Sequence, residues 1–432
     1  MKRPQASIAI LSAVLLAAAG AGVFAGIRLV GSGGSPLPDT SPRPRPTPSA
    51  TCSNGWHISS GDLLPGRVPQ LFGSAAVSWS DVWAVGTSYA SDDSGDYTPL
   101  TEHFDGQGWR VVHSPVLRQG TLVAAEAISS NDVWAIGNVA QVQPLIEHWD
   151  GRSWKVVQGA KIAPNEPPDI GRQLLSITAI DANDVWVLGH YSPAINVPGI
   201  GAESISRDVF EHWDGGHWTL VPSPQERSLT AMSAMQSISA VSANDVWAVG
   251  GRIRGFGEAG SSDGALVQHW DGRSWKRVVP PTGKTPLSVV GAISSSDVWA
   301  LRGGDFEAVG GYGLGHAQLM HWNGRAWNGG PKITGSRDWP AAVTSISGHA
   351  PNDVWTVGTQ GRWGNLPFVL HWDGRKWTQV ASLALETVPR SSVTRMTVDN
   401  VSDGAIVAFG SELNVAPELN NTPQNRIWLR CP

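Results

Sequence analysis

Residues Ser129–Val157, SSNDVWAIGNVAQVQPLIEHWDGRSWKVV, spell out a unit that the rest of the chain repeats. Its first half returns as DVWAVG at Asp81, DVWVLG at Asp184, DVWAVG at Asp245, DVWAL at Asp297 and DVWTVG at Asp353, with a worn copy, AIVAFG, from Ala405. Successive starts are 51, 52, 61, 52, 56 and 52 residues apart. Its second half, HWDGRSW from His148, returns as HFDGQGW at His103, HWDGGHW at His212, HWDGRSW at His269, HWNGRAW at His321 and HWDGRKW at His371.

A period of this length belongs to radially arranged β-sheets and exceeds that of most helical solenoids. Each unit reads as four antiparallel strands. A strand of small and β-branched residues, such as LLSITAID at Leu174–Asp181, turns through a short polar loop into DVWAVG, which is apolar on both faces because it lies between neighbouring sheets. A third strand ends in HWD, and Asp-Gly supplies the positive-φ positions for the reversal into a fourth, SWKVV, through a loop of two or four residues. The fold expected is all-β: a seven-bladed β-propeller of four-stranded antiparallel blades.

Tryptophan placement supports this. Of 22 tryptophans, 18 fall at three recurring positions: six in DVW, five in HW and seven at the start of the fourth strand. A buried Trp removes roughly 200 Å² from water, at about 25 cal/mol per Å², so these residues are expected to cement blade to blade.

The seventh unit supplies only three strands before the chain ends, from VTRMTVD (Val393), AIVAFG and RIWLRC (Arg426). Its missing fourth strand matches SNGWHIS at Ser53–Ser59, which aligns with QGWRVVH from Gln107 around Trp56. The N-terminal strand is therefore expected to close the last blade. This would place the only two cysteines, Cys52 and Cys431, at a hairpin position, where a disulfide and an oxidising compartment are expected.

The domains expected are an N-terminal anchor or signal segment (1–30), a Pro-rich extended linker (31–51) and the propeller (52–432). The apolar run from Ile8 to Ile27 is long enough to span a bilayer as one helix, with a cleaved secretory signal as the alternative. The linker, at about 3.1 Å per residue, would hold the domain some 50 to 60 Å from the surface. The localisation expected is the cell membrane, single-pass, with an extracellular propeller; the alternative is secretion. A net charge of −5 argues against a nucleic-acid partner, and no Walker loop, CxxC pair or HExxH motif occurs.

The repeat resembles the kelch type, in which the second strand ends in Gly-Gly, as at Gly250 and Gly251, the third carries an aromatic and the fourth a Trp. It is similar in this to the kelch-like central domain of galactose oxidases and to exported bacterial propellers of the SxxDVWAVG form. The resemblance implies shape and a tendency to bind proteins or glycans, and no chemistry. The copper-radical site of galactose oxidase needs a Tyr joined to a Cys, which the four tyrosines and the two terminal cysteines do not offer.

Six histidines recur at one position per blade, a ring arrangement that points to structure rather than to a metal cluster. The DVW aspartates are read as acceptors of backbone N–H groups at the turns. No metal and no cofactor is expected.

Function should lie where repeats disagree, on the face of the variable loops. The ligand-binding candidates there are Trp339, Trp363, Arg362, Tyr312, Arg337 and Arg254. The principal reading is a membrane-tethered binding or scaffolding module for a glycan or surface protein, monomeric as a propeller. The alternative is an extracellular carbohydrate-active hydrolase or lyase with Asp305, Glu307 and Asp338 as funnel carboxylates.

Overall fold

The computed structural model describes residues 56–430 except 61–63, 65, 92–93, 117, 141–142, 162–170, 193, 198–200, 205, 226–230, 255–260, 304–316, 334–341, 361–365, 381–390, 401–405 and 415–423. Every regular element among them is a strand.

Seven four-stranded antiparallel sheets form. The first is Arg67–Ser78, Asp81–Ala90, Tyr97–Phe104 and Trp109–Val112, in sequence order from inside to outside. Five more follow the same order, with inner strands Gly120–Ser129, Arg172–Asp181, Ala231–Ser242, Leu287–Ser294 and Ala342–Ala350. The seventh is built from Ser391–Asn400, Ile406–Asn414 and Gln424–Arg430, and its outer strand is Trp56–Ser60 from the other end of the chain, with Trp56 opposite Arg430. Inner strands of successive sheets lie side by side, and the seventh meets the first, so the sheets form a ring. In the third blade the long loop adds a two-stranded hairpin, Ala194–Val197 with Gly201–Ser204.

The connection from third to fourth strand is a four-residue loop. Trp149 pairs with Trp154, and the Asp150 carboxylate Oδ1 accepts from the backbone N–H groups of Arg152 (3.0 Å) and Ser153 (2.9 Å). Gly151 sits at φ 84°, a value that glycine adopts without the steric cost a Cβ would bring.

The core lies between blades. Trp134 of the second blade is 2% exposed and packs on Trp213 and Trp218 of the third, at ring-centroid distances of 5.1 and 5.4 Å. The same triangle recurs at Trp83, Trp186, Trp247 and Trp299, where the fourth-strand Trp of the next blade meets the DVW ring edge-on at 85–89°. Edge-to-face contact places the positive ring edge on the negative ring face.

The DVW aspartates do something other than the sequence reading gave them. Each accepts a hydrogen bond from the histidine of its own blade: His103 to Asp81 (2.7 Å), His148 to Asp132 (2.8 Å), His212 to Asp184 (2.8 Å), His269 to Asp245 (2.7 Å), His321 to Asp297 (2.6 Å) and His371 to Asp353 (2.9 Å). The Asp begins the second strand and pairs with the last residue of the first, so its carboxylate faces the third strand and not the turn. Turn N–H groups are met instead by that last residue, as Ser129 Oγ does for Asn131 and Asp181 Oδ1 for Asn183. Burial opposes ionisation of Asp81, but hydrogen bonds from His103 and from Ser130 of the next blade outweigh it and hold the carboxyl below its ordinary range.

Four further expectations are corrected. No helix among the described residues is long and apolar enough to cross a membrane, so a helical anchor, a membrane partner and a cell-membrane localisation gain nothing from the structure. Residues 1–30 and 31–51, on which that reading rests, lie outside the described residues. The Cys52–Cys431 bridge likewise has no support: no disulfide occurs among the described residues, and both cysteines lie outside them.

Trp134→Ala should lower unfolding free energy by about 3–5 kcal/mol in urea denaturation, because a cavity opens between two sheets. Val156→Ala, at a side chain 54% exposed on an outer strand, should change it by less than about 0.5 kcal/mol. Equal losses in the two variants would contradict an inter-blade core.

Candidate functional site

The seven inner strands enclose a channel of about 360 Å³ on the ring axis. Its wall is mostly small and hydroxylated: Ser74, Ser176, Thr178, Ser237, Ser239, Ser345, Ser347 and Thr397 face or border it. Several hydroxyls tie one inner strand to the next. Ser176 accepts from Ile238 N (3.2 Å), Thr178 from Ala240 N (3.1 Å), Ser239 from Ala292 N (3.0 Å) and Ser345 from Val398 N (3.2 Å). Single-hydroxyl side chains suit this seam because they reach across it without filling the channel.

Two blades depart from that pattern at one register position, the residue opposite the DVW tryptophan. Thr178, Ser239 and Ser347 occupy it in the third, fourth and sixth blades, whereas the second blade has Glu126, opposite Trp134, and the seventh has Asp399, opposite Val407. These are the only two ionisable side chains on the described channel wall. Ala75 holds the same position on the strand between them and adds only a methyl group.

Asp399 Oδ2 accepts a hydrogen bond from Ser74 Oγ (2.6 Å), and Ser74 Oγ also lies 2.6 Å from Thr397 Oγ1. Enclosure by the strands raises the Asp399 carboxyl to about 6, the Ser74 bond offsetting part of the effect. Glu126 keeps partial exposure to the channel as a residue, yet its carboxyl is crowded by protein, and that desolvation, together with the Asp399 charge, pushes it up to about 8. Both carboxyls therefore hold their protons more tightly than exposed acids do.

Other buried acids have structural partners. Glu147, one residue before the His of the second blade, is raised to about 7 by burial and accepts from Ser114 Oγ (2.8 Å) in the segment entering that blade. Glu211, its counterpart in the third blade, accepts from Arg172 Nη1 (2.7 Å) and Ala160 N (2.7 Å). Each clamps the chain that leads into its own blade.

Of the sequence candidates, only Arg254 is described. Its Nη2 and Nε donate to Asp263 Oδ2 at 2.7 and 3.1 Å, and Arg252 shares the same carboxylate, so Arg254 is committed to an ion pair within its blade. Trp339, Trp363, Arg362, Tyr312, Arg337, Asp305, Glu307 and Asp338 lie outside the described residues. The sequence reading passed over Glu126 and Asp399. Aligning the inner strands on the DVW register would have exposed both as charges in a column of small and hydroxylated residues. It also passed over Arg302, which stands where the other blades have Gly86, Gly137, Gly189 and Gly250. In those blades a Cβ would strike the carbonyl oxygens of Gln70, Thr121, Gln173 and Ala234. In the fifth blade the inner strand begins only at Leu287, opposite Arg302, which relieves that crowding.

No family model matches the chain, and no curated protein matches it. Solved structures do. The chain has a β-propeller fold. YCF48, solved bound to D1 peptide, is similar at 15% identity over 88% of this chain and 96% of its own, with a TM-score of 0.50. A polysaccharide lyase, an ulvan lyase, is 11% identical over 82% of this chain and 91% of its own (TM-score 0.48). A lectin from Aleuria aurantia, a six-bladed β-propeller with a fucose recognition mode, is 15% identical over 73% and 96% (TM-score 0.43). At these identities the likeness concerns the fold.

The raised carboxyls set a pH dependence. The folded state holds its protons more tightly than the unfolded chain, so their contribution favours folding below about pH 4.5 and is lost as pH rises through 6 to 8. The thermal midpoint should therefore fall between pH 5 and 8.5, and Glu126→Gln should flatten the fall. An equally steep fall in the variant would contradict the assignment.

Proposed function

We propose that this propeller recognises a saccharide, which it receives at the axial channel, and that Glu126 and Asp399 are the polar centre of the site. The observation that carries the reading is the chemistry of the wall: hydroxyls and two carboxyls, with no Lys, Arg or His among the lining residues. Such a wall is rich in acceptors and complements a ligand rich in hydroxyl donors, since one carboxylate can accept from two neighbouring hydroxyls. It disfavours a polyanion, for which no counter-charge is provided. We read residues 52–432 as one unit of kelch-like repeats, on the Gly250–Gly251 pair and the aromatic and Trp positions of the third and fourth strands.

A second reading, turnover of the bound saccharide, is favoured by the unequal environments of the two acids. With one carboxyl at about 8 and the other at about 6, a proton donor and a proton acceptor coexist near neutrality.

A glycan array probed with the intact chain tests both. Capture of neutral glycans is expected, weakened about tenfold or more, or about 1.4 kcal/mol, in Glu126→Gln and in Asp399→Asn. Release of shortened saccharide by wild type, abolished by either change, would select the second reading. Capture of no saccharide, or capture unchanged in both folded variants, would contradict the site.

A further inference from the structure

One arginine stands in a seam between blades without a counter-charge. Arg302 ends the second strand of the fifth blade, Asp297–Arg302, on the same face as Val298 and Ala300, which pack against the fourth blade. Its guanidinium lies against the connection between these two blades, at the variable-loop end of their seam: a Cβ on Gly283 would stand 3.6 Å from Nη1 and 3.9 Å from Nη2. Nε and Nη2 are closed off from solvent and donate no hydrogen bond. Burial lowers the pKa of the group, and no acid opposes the effect. Other cations of the seams are matched, Arg172 by Glu211, and Arg252 and Arg254 by Asp263. Asp263 also feels Lys284, so three cations already share it. The residue before the third-strand His, Glu102, Glu147 and Glu211 in the first three blades, is Met320 in the fifth, on the same face as Arg302. Enclosed donors without partners are uncommon and costly, so this fork of donors calls for an explanation.

Nε–H and one Nη2–H lie parallel on one edge of a guanidinium, and this two-pronged donor matches the two oxygens of a carboxylate. The approach is bare of side chains. Gly283 has φ 130°, and Gly264 of the fourth blade, φ 127°, comes so close that a Cβ on it would stand 3.2 Å from Gly283 O. Residues 282–285 are exposed, and among the described residues a single hydrogen bond reaches them, from Ser262 Oγ to Lys284 O (2.6 Å). We propose that Arg302 anchors a carboxylate-binding subsite at the variable-loop end of the seam between the fourth and fifth blades, with Lys284 as its second cation. The carboxylate takes both hydrogens of the fork as the exposed turn 282–285 shifts off the guanidinium, and its charge replaces the acid that this blade lacks. Neither Arg302 nor Gly283 lines the axial channel, so the subsite does not depend on the saccharide reading.

The test uses the intact chain at pH 7, its thermal unfolding followed with sodium acetate, sodium glucuronate, neutral acetamide, and sodium chloride at matched ionic strength. Acetate and glucuronate should raise the midpoint with the logarithm of concentration, as ligands that bind only the folded state do. Chloride and acetamide should not. Arg302→Met should lose the rise with acetate and that part of the rise with glucuronate which the channel does not supply. Without any ligand, Arg302→Met should unfold at or above the wild-type midpoint, because the donors without partners are gone, whereas a merely structural arginine would be missed. Arg302→Lys keeps the charge but not the fork, and should weaken acetate binding about tenfold. A larger Arg302-dependent rise with glucuronate than with acetate assigns the carboxylate to a sugar acid, and an equal rise assigns it to a free carboxylate; both support the subsite. No carboxylate-specific rise, a rise undiminished in Arg302→Met, or a ligand-free Arg302→Met that is less stable than wild type or does not fold would overturn the proposal. Any of these results would leave capture of neutral glycans to be judged separately on the array.

Discussion

The structure depends on one contact repeated around the ring: the indole of DVW, at the centre of one sheet, seated between two indoles of the next. Neither partner belongs to the same unit of sequence, so a single repeat cannot bury its own tryptophans. Stability is therefore a property of adjacency. Trp299 meets Trp372 and Trp377 as Trp134 meets Trp213 and Trp218, and apolar clusters extend from each pair of blades into the seam between them. A ring assembled this way needs its last seam closed, and the Trp56–Ser60 strand completes the sheet that meets the first.

Because the seams carry the core, the polar groups within them are fixed by packing. In the first six blades the His of the third strand stacks on the DVW Trp of its own blade, as His148 does on Trp134 at 4.3 Å, while bonding to the DVW Asp. Aromatic packing thus sets the orientation of the imidazole, and the imidazole satisfies a carboxylate that would otherwise be costly to bury. The six histidines and six aspartates that look like chemistry in the sequence are joints. What the joints leave free is the axis, whose described wall holds no tryptophan and is bordered by the inter-strand hydroxyl bonds.

That division explains which parts were legible in the sequence. Strand order, the positive φ of Gly151 and its counterparts, and the tryptophan cement follow from local patterning with period two and from turn chemistry, and these were readable. The length of the Asp-Gly loop was not, since both lengths place the same residues at the reversal. The partner of the DVW Asp was misread because the reading looked along the chain to the turn, whereas the partner lies across the sheet, 16 to 28 residues away. Glu126 and Asp399 were missed because 273 residues separate them and only ring closure makes them neighbours. The variable loops drew attention by their length, yet the described wall of the channel shows its departure from the repeat in two single residues.

The most direct measurement of the account is a double-mutant cycle on Trp134 and Trp218, which belong to different blades and meet edge to face at 5.4 Å. If the seam is the unit of stability, the two Ala substitutions, singly and together, should show a coupling of about 0.5–1.5 kcal/mol in urea unfolding. Losses that add to within about 0.3 kcal/mol would mean that each tryptophan serves only its own sheet, and the inter-blade account would fail.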